Sequence, residues 1–502
     1  MHWLVAAVVG IPFLGAVACI AARDRASKIV AVAATLITAA TAVAIAAKMP
    51  EKTFLFGKMP WLGRVTDSGF FGYELNPLAI AMLLVSTVIG VAIIVYSMGY
   101  LSEGNREHAT RTGHARYYFW LMLFVGSMAG IAISPTLLQL LIFWEMTTLC
   151  SWALISFYDD EESLKAGMKA LMMTSFGGLF LIGGTVWVLI ATGSLDFSAL
   201  GKLSYGDRAW AFALFLIAAW AKSAQVPFYT WLPDAMTAPT PISAYLHAAA
   251  MVKAGVFLIA KLLLAGWTVS TGVALLVGIA SLVTMFVALY LYFLQDDLKR
   301  LLAYSTIAQL GLIMLGIALG SLGSELAARG AVLHLMMHAC AKTLLFLSVG
   351  AISYAYGTRK ISKLSGLAQT LPIAAVAFFV GTFALAGVPP LACFWSKFYI
   401  LSGALQLRSV FGPISLILIL VESLVSLGWF LWVGQQVFFG KPKRLAVAST
   451  ANEHSEVEKH ETAAGAVVDP PRSIEWILIG LVVVALIVPL VGIPIVQKIV
   501  VP

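Results

Sequence analysis

Residues 208–266 read RAWAFALFLIAAWAKSAQVPFYTWLPDAMTAPTPISAYLHAAAMVKAGVFLIAKLLLAG. A hydrocarbon core about 30 Å thick needs about 20 apolar residues per helix. Two runs of that kind are present here, joined by the proline-studded segment VPFYTWLPDAMTAPTP. Proline removes a backbone donor and clashes with the preceding turn, so the chain is expected to break around Pro227 and Pro233. Irregular backbone at membrane depth is tolerated only where protein buries it or it lines a watery cavity. Lys222, His247, Lys253 and Lys261 lie in the same apolar runs. An ionisable group near a bilayer centre costs from about 2.5 kcal/mol upward on insertion scales. Such groups point to a buried pathway, not a lipid-facing surface.

The whole chain has this character. Of its 502 residues 61% are hydrophobic and only 11% charged, where soluble domains carry roughly 45–50% apolar and about 25% charged residues. A mean hydropathy of +0.93 excludes a soluble enzyme with a single anchor. A β-barrel would alternate polar and apolar residues over about ten positions, and the runs here are uninterrupted. The net charge of +8, from 32 Lys+Arg against 24 Asp+Glu, is expected to reside in loops on the inner membrane face. No nucleic acid partner is implied. Cys19, Cys150, Cys340 and Cys393 stand singly in apolar runs, so no CxxC pair offers a zinc or iron–sulfur site. Neither GxGxxG nor GxxxxGK[ST] occurs. No cofactor and no metal are expected in this chain, and any redox chemistry would belong to partner chains.

Fourteen apolar stretches are expected to cross the bilayer: residues 2–22, 27–48, 75–101, 117–133, 135–157, 166–192, 208–232, 241–266, 271–294, 300–322, 328–356, 372–407, 411–439 and 474–497. The start, MHWLVAAVVGIPFLG, lacks the basic region of a cleavable signal and is taken as the first span. Lys441–Arg472 is expected to be a poorly ordered extramembrane loop. A second interruption, AGVPPLACFWSKF around Pro389 and Pro390, falls in span 12, five spans after the break at Pro227 in span 7. Paired broken segments mark inverted-repeat transporters; the alternative is two unrelated packing kinks. The expected fold is an all-α integral membrane protein of about 14 transmembrane helices, with two inverted five-helix repeats (helices 4–8 and 9–13) and broken helices 7 and 12. Its parts are residues 1–101 with spans 1–3, 102–266 and 267–439 as the repeats, 440–472 as the hydrophilic loop, and 473–502 with span 14. With both termini outside, Arg23, Arg25, Lys28, Arg106, Arg111, Arg116, Lys299, Arg300, Arg359 and Lys360 fall on the inner face, as the positive-inside rule prefers. A multi-pass protein of a prokaryotic-type inner membrane follows.

Further ionisable groups lie in other spans. Glu145 sits in LLIFWEMTTLCSW, His334, His338 and Lys342 in VLHLMMHACAKTLLF, Lys397 in CFWSKFYIL, and Glu422 in LILILVESLVSLGW. His334, His338 and Lys342 are spaced i, i+4, i+8, a polar stripe roughly 12 Å long on one helix face. Such a stripe is a proton wire in outline. A metal site is the other reading of paired histidines, but HExxH is absent and the lysine would repel a cation. A buried lysine can load or unload a proton under a small electrostatic push. Glu145 and Lys222 are the expected working pair, a static ion pair being the alternative. Lys261 is near enough to the helix end to snorkel and is expected to be structural. His247 by itself could equally be a satisfied core group.

The stretch AKSAQVPFYTWLPDAMTAPTPISAYLHAAAMVKAG, residues 221–255, resembles the signature of the antiporter-like membrane subunits shared by respiratory complex I, membrane-bound group 4 hydrogenases and Mrp-type sodium/proton antiporters. Similar matches are FWEMTTLCSWALISFY from Phe143, DLKRLLAYSTIAQLGLIMLG from Asp297, HLMMHACAKTLLFLSVGAI from His334 and GTRKISKLSGL from Gly357. The resemblance implies two half-channels joined by a hydrophilic axis at mid-membrane. In it Glu145 matches the modulating glutamate and Lys222 its partner. Lys253, His334, His338 and Lys342 match the axis, Lys397 the exit position, and His247 a polar position of the same motif. Glu422 lies outside these motifs, and its expected role rests on burial alone. The distal complex I subunit continues into a long lateral helix, whereas this sequence ends at Pro502, so the resemblance leans to middle complex I subunits or to Mrp and hydrogenase subunits. It implies a non-catalytic subunit of a redox-driven complex, NADH:quinone oxidoreductase-like or a membrane-bound hydrogenase, that moves protons, or sodium and protons, beside other membrane subunits in the bilayer. Alternatives are a non-redox Mrp-type antiporter and the membrane subunit of an inorganic-carbon uptake complex.

Overall fold

The structure, a computed structural model, describes residues 1–56, 71–267, 269–441 and 468–500. Its α-helices in chain order are α1 (His2–Ala21), α2 (Arg23–Lys48), α3 (Pro77–Tyr100), α4 (His114–Ile133), α5 (Leu137–Ile155), α6 (Glu161–Thr192), α7 (Tyr205–Lys222), α8 (Trp231–Asp234) and α9 (Thr240–Ala248). They continue as α10 (Met251–Leu264), α11 (Thr271–Tyr292), α12 (Leu298–Ser321), α13 (Glu325–Tyr356), α14 (Pro372–Ala386), α15 (Ala392–Gln406), α16 (Phe411–Phe438) and α17 (Arg472–Gln497). Many starts are written locally. Asn76, Thr136, Asp160, Ser204, Ser270, Asp297 and Ser324 each accept from a backbone N–H of the first turn, which satisfies donors that have no intrahelical partner.

Each of the fourteen expected spans contains helix, and among the described residues twelve helical segments are long and apolar enough to cross a membrane. The two spans outside that set are 208–232 and 372–407, the two carrying the proline interruptions. Span 7 ends sooner than expected, at Lys222. Ala224 takes a left-handed φ of +50° and Val226 precedes proline, a position biased away from helix. Irregular chain then leads through α8 and a 3-10 turn at Ala235–Thr237. Span 12 divides into α14 and α15 about Gly387, whose φ is +91°.

Span 8 was expected to be continuous but is broken at Ala249 and Ala250, between His247 and Lys253. Ser223, the residue after α7, packs against the turn that follows this break. The Ser223 hydroxyl donates to Val252 O at 2.7 Å and accepts from Val256 N at 3.1 Å, so it is inserted into a helical i to i+4 bond at the start of α10, a recognised cause of kinks. Gly255 permits this approach, because a Cβ there would lie 2.3 Å from both Ala219 O and the Ser223 hydroxyl. The all-α expectation also missed a small antiparallel sheet, β1 (Lys52–Phe56) with β2 (Phe71–Leu75), in which Phe54 faces Tyr73. Gln139 fastens it to α5 through both Gly72 backbone groups, at 2.8 and 3.1 Å. Most of the expected hydrophilic loop, residues 442–467, lies outside the described residues.

Helix α13 is the spine, packed against α3, α9, α12, α14, α15 and α17. The apolar segments of α12 and α13 are 100% buried, against 28% for α16 and α17, so the first pair form the interior and the second face outward. Leu14, Ile190, Leu424 and Leu490 are exposed on such outer faces, as a lipid-facing surface requires. The broken stretch after α8 is held by cations from elsewhere. Lys299 donates to Ala238 O at 2.6 Å and Arg359 to Met236 O at 3.0 Å. Asp234 pairs with Lys169 at 2.6 Å. Arg359 also pairs with Glu107 at 3.1 Å. Burial pushes the Glu107 carboxyl up, but Arg359 and then Lys299 more than offset it and hold it below the usual carboxylate range.

The packing at Gly255 makes a prediction. Gly255→Ala must push α7 away from α10, at a cost of about 1–3 kcal/mol. It should lower the thermal midpoint of the detergent-solubilised protein, whereas Gly206→Ala, with nothing within 4 Å of its Cβ position, should not. Equal midpoints for the two variants would contradict this packing.

Candidate ion pathway

Lys222 is wholly buried. Its ammonium donates to Trp144 O at 3.0 Å and to the Thr148 hydroxyl at 2.5 Å, and lies 5.1 Å from the Trp144 ring centroid. No direct ion pair within 4.0 Å joins it to Glu145. The two groups still interact electrostatically, with Thr148 one turn along α5 from Glu145. Glu145 is lodged against α6 at Gly178, where an added Cβ would be 2.1 Å from the carboxylate Oε1.

In the second half a continuous network joins five helices. Lys397, at the α14–α15 break, donates to Ala386 O at 3.2 Å and to the Ser423 hydroxyl at 2.8 Å, with Glu422 Oε2 at 3.9 Å. Glu422 Oε1 accepts from Ser426 at 2.9 Å and from Gln309 Nε2 at 3.2 Å. Gln309 Oε1 is 3.0 Å from His334 Nε2, and His334 Nδ1 is 2.8 Å from the Ser396 hydroxyl. Ser396 also reaches Cys393 O at 3.0 Å. This surrounding suits either protonation state of His334. With a neutral ring Ser396 donates to Nδ1; with a protonated ring Nδ1–H donates to Ser396, whose own proton turns to Cys393 O. Glu422, whose expected role rested on burial alone, thus lies beside Lys397 of the same chain.

Between these ends lie the remaining residues. The His334 and His338 rings stack with centroids 5.8 Å apart. Lys253 crosses from α10 to donate to Leu335 O of α13. Lys342 donates to Leu302 O at 3.0 Å and to the Ser305 hydroxyl, both on α12. The expected stripe is therefore not one unbroken wire, since Lys342 turns to α12 while the histidines stack on each other. His247 lies 4.8 Å from the Phe346 ring. Both ring nitrogens of His247 and of His338 are buried without a hydrogen-bond partner among the described residues. Buried polar groups of that kind are ordinarily satisfied by ordered water.

Lys261 belongs elsewhere. It does not snorkel to water but is 3% exposed, 2.6 Å from Glu74 Oε2 and 2.7 Å from Ser134 O, above the Phe197 ring. It ties β2 to α10. Sequence reasoning missed Thr148, Ser305, Gln309, Ser396, Ser423 and Ser426. Gln309, polar in a buried apolar helix, could have been found. The hydroxyls could not, because many membrane Ser and Thr residues merely bond their own helix, as Thr35 and Thr38 do. Among the described residues no group of three His, Cys, Asp or Glu side chains is placed to hold a metal.

Fold and site together define a polytopic helical membrane protein with buried ionisable groups running through its interior from one broken region to another. The family model for NADH:quinone oxidoreductase/Mrp antiporter, TM, matches residues 134–426, and one for the N-terminus of NADH-ubiquinone oxidoreductase (complex I) chain 5 matches residues 68–118. The chain belongs to this NADH:quinone oxidoreductase/Mrp antiporter family. It is 36% identical over 408 residues to Na(+)/H(+) antiporter subunit A1 of Staphylococcus haemolyticus, covering 77% of this chain and 50% of the relative. It is 40% identical over 357 residues to chloroplastic NAD(P)H-quinone oxidoreductase subunit 5 of Lemna minor, covering 66% and 45%. The chain thus spans about half the length of these relatives. A chain of the Mrp complex from Dietzia sp. DQ12-45-1b superposes with a TM-score of 0.82 at 28% identity, over 98% of this chain and 51% of that one. A chain of an archaeal membrane-bound sulfane sulfur reductase shares the fold, with a TM-score of 0.79 at 22% identity over 98% and 96%.

The Glu422 network makes a stability prediction. Glu422→Leu leaves Lys397 buried without its carboxylate and should cost about 3 kcal/mol. Glu422→Gln, which keeps acceptors for Ser426 and Gln309, should cost clearly less. Thermal unfolding of the solubilised protein would check the order, and equal losses would contradict it.

Proposed function

We propose that the chain is a proton-translocating, or sodium- and proton-translocating, antiporter-like subunit of a larger redox-driven membrane complex. The observation that carries this reading is the series Lys222, His247, Lys253, His338, His334, Lys342, Glu422 and Lys397, buried through the interior, with Glu145 half-buried at its first end. Nothing in the economy of folding calls for so many ionisable groups, since apolar residues of similar volume usually serve stability as well or better. Glu145 and Lys222 act at the first half-channel, Lys253, His334, His338 and Lys342 along the connecting axis, with His247 beside it, and Lys397 with Glu422 at the exit. The breaks at Pro227 and at Pro389 and Pro390 free the backbone carbonyls that such sites use. In this reading the fourteen spans all cross an inner, prokaryotic-type membrane, both termini face outward, and helices 4–8 and 9–13 are inverted repeats. The chain itself holds no cofactor; neighbouring membrane subunits supply the driving reaction.

A second reading has its own support. The match to a chain of an Mrp complex over 98% of this sequence, and to a Na(+)/H(+) antiporter subunit, favours a complex that exchanges cations for protons with no redox partner. The genes beside this one separate the two: hydrogenase or dehydrogenase large subunits against small antiporter subunits.

The test is ion movement in inverted membrane vesicles carrying the whole complex. Lys222→Ala should reduce coupled movement to background while the complex still assembles. Undiminished transport in that variant would overturn the reading.

A further inference from the structure

Three of the buried lysines are held in the same way. Lys222 donates to the carbonyl of Trp144 and the hydroxyl of Thr148. Lys342 donates to the carbonyl of Leu302 and the hydroxyl of Ser305. Lys397 donates to the carbonyl of Ala386 and the hydroxyl of Ser423. Each ammonium therefore rests on one backbone carbonyl and one hydroxyl, with no carboxylate oxygen in hydrogen-bonding range. Lys261 is the contrast: outside the pathway, it sits directly on Glu74 at 2.6 Å.

In both halves the hydroxyl stands between the lysine and its glutamate. Thr148 lies one turn along α5 from Glu145 and takes the Lys222 proton donor. Ser423 is next to Glu422 in sequence, accepts from Lys397 at 2.8 Å and is 3.4 Å from Glu422 Oε2, while Lys397 remains 3.9 Å from that oxygen. The hydroxyls can serve as acceptors because their own protons have other places to go. Thr148 reaches Trp144 O at 3.3 Å, Ser305 reaches Leu302 O at 2.9 Å, and Ser423 reaches Glu422. A hydroxyl accepts and donates at once, so it binds the ammonium without neutralising it.

We propose that Thr148 and Ser423 are positioning residues for ion movement, each giving its lysine a resting seat beside, but not upon, the paired glutamate. Ser305 gives Lys342 the same kind of seat on the connecting axis. An ammonium locked onto a buried carboxylate would be slow to leave it. A lysine resting on a hydroxyl and a carbonyl can reach Glu145 or Glu422 by a side-chain movement and return. The inference rests on the ion-translocating reading above and deepens it.

The experiment compares Thr148→Val, Thr148→Ser, Ser423→Ala and Lys222→Ala in vesicles carrying the whole complex, with subunit abundance and the pH profile of transport measured for each. Thr148→Val keeps the volume and removes the hydroxyl. It should slow transport by about tenfold or more, the order expected for loss of a hydrogen bond to a charged group, and displace the pH profile. Thr148→Ser should restore both rate and profile. Ser423→Ala should act like Thr148→Val, and it carries the test if Thr148→Val fails to assemble. Wild-type rate and profile in assembled Thr148→Val, or in Ser423→Ala, would overturn the proposal. So would equal losses in Thr148→Val and Thr148→Ser, since size and not the hydroxyl would then be responsible. Full transport in Lys222→Ala would instead overturn the ion-translocating reading itself.

Discussion

An ammonium group inside a membrane-spanning bundle has to find its acceptors within the protein, and much of this architecture answers that demand. Isolated charges in such surroundings are prohibitively costly unless hydrogen-bonded or paired. The fold supplies acceptors in two ways. It ends or breaks helices, which frees carbonyls such as Ala386 O, and it places Ser and Thr hydroxyls within reach of the same ammonium groups. The breaks after Lys222, at Ala249 and Ala250, and at Gly387 all occur beside buried ionisable groups. Irregular backbone at this depth survives because it is enclosed by protein and clamped by Lys299 and Arg359.

The same demand separates structural from mobile charge. Lys261 has a direct carboxylate partner and a carbonyl, and it fastens a β-strand to a helix. Lys222 and Lys397 have hydroxyl partners with glutamates close by. Breaking a buried ion pair by removing one partner costs about 3–5 kcal/mol, whereas a hydrogen bond to a charged group contributes about 1.5–3 kcal/mol. The weaker attachment is the one compatible with a side chain that must change partner. His334, whose neighbours Ser396 and Gln309 accommodate it with or without its extra proton, fits the same pattern.

Helical membrane architecture was legible because about 20 uninterrupted apolar residues have few other solutions. The ionisable residues were legible for the opposite reason, being costly wherever they fall in such runs. What the sequence did not disclose follows from contacts between distant elements. The break in span 8 is followed by a turn into which the Ser223 hydroxyl inserts, and no proline or glycine stands at Ala249 or Ala250 to announce it. Glu145 and Lys222 were readable as opposite charges on neighbouring spans. The close approach of Glu145 to Gly178 of α6 was not, nor was the seating of Lys222 on Thr148, a residue type too common in membrane helices to stand out. The small β-sheet was missed because short strands lie below the resolution of an apolar-run search.

The central claim is a hydrated polar axis linking the first half-channel to Glu422 and Lys397. Four ring nitrogens decide it, those of His247 and His338, which have no partner among the described residues. A cryo-electron microscopy map of the intact complex, sharp enough to show ordered water, measures this directly. The account predicts water molecules within hydrogen-bonding distance of both histidines, continuing toward Lys253 and Lys342. Apolar side chains packed against all four nitrogens, with no water between Lys222 and His334, would contradict it.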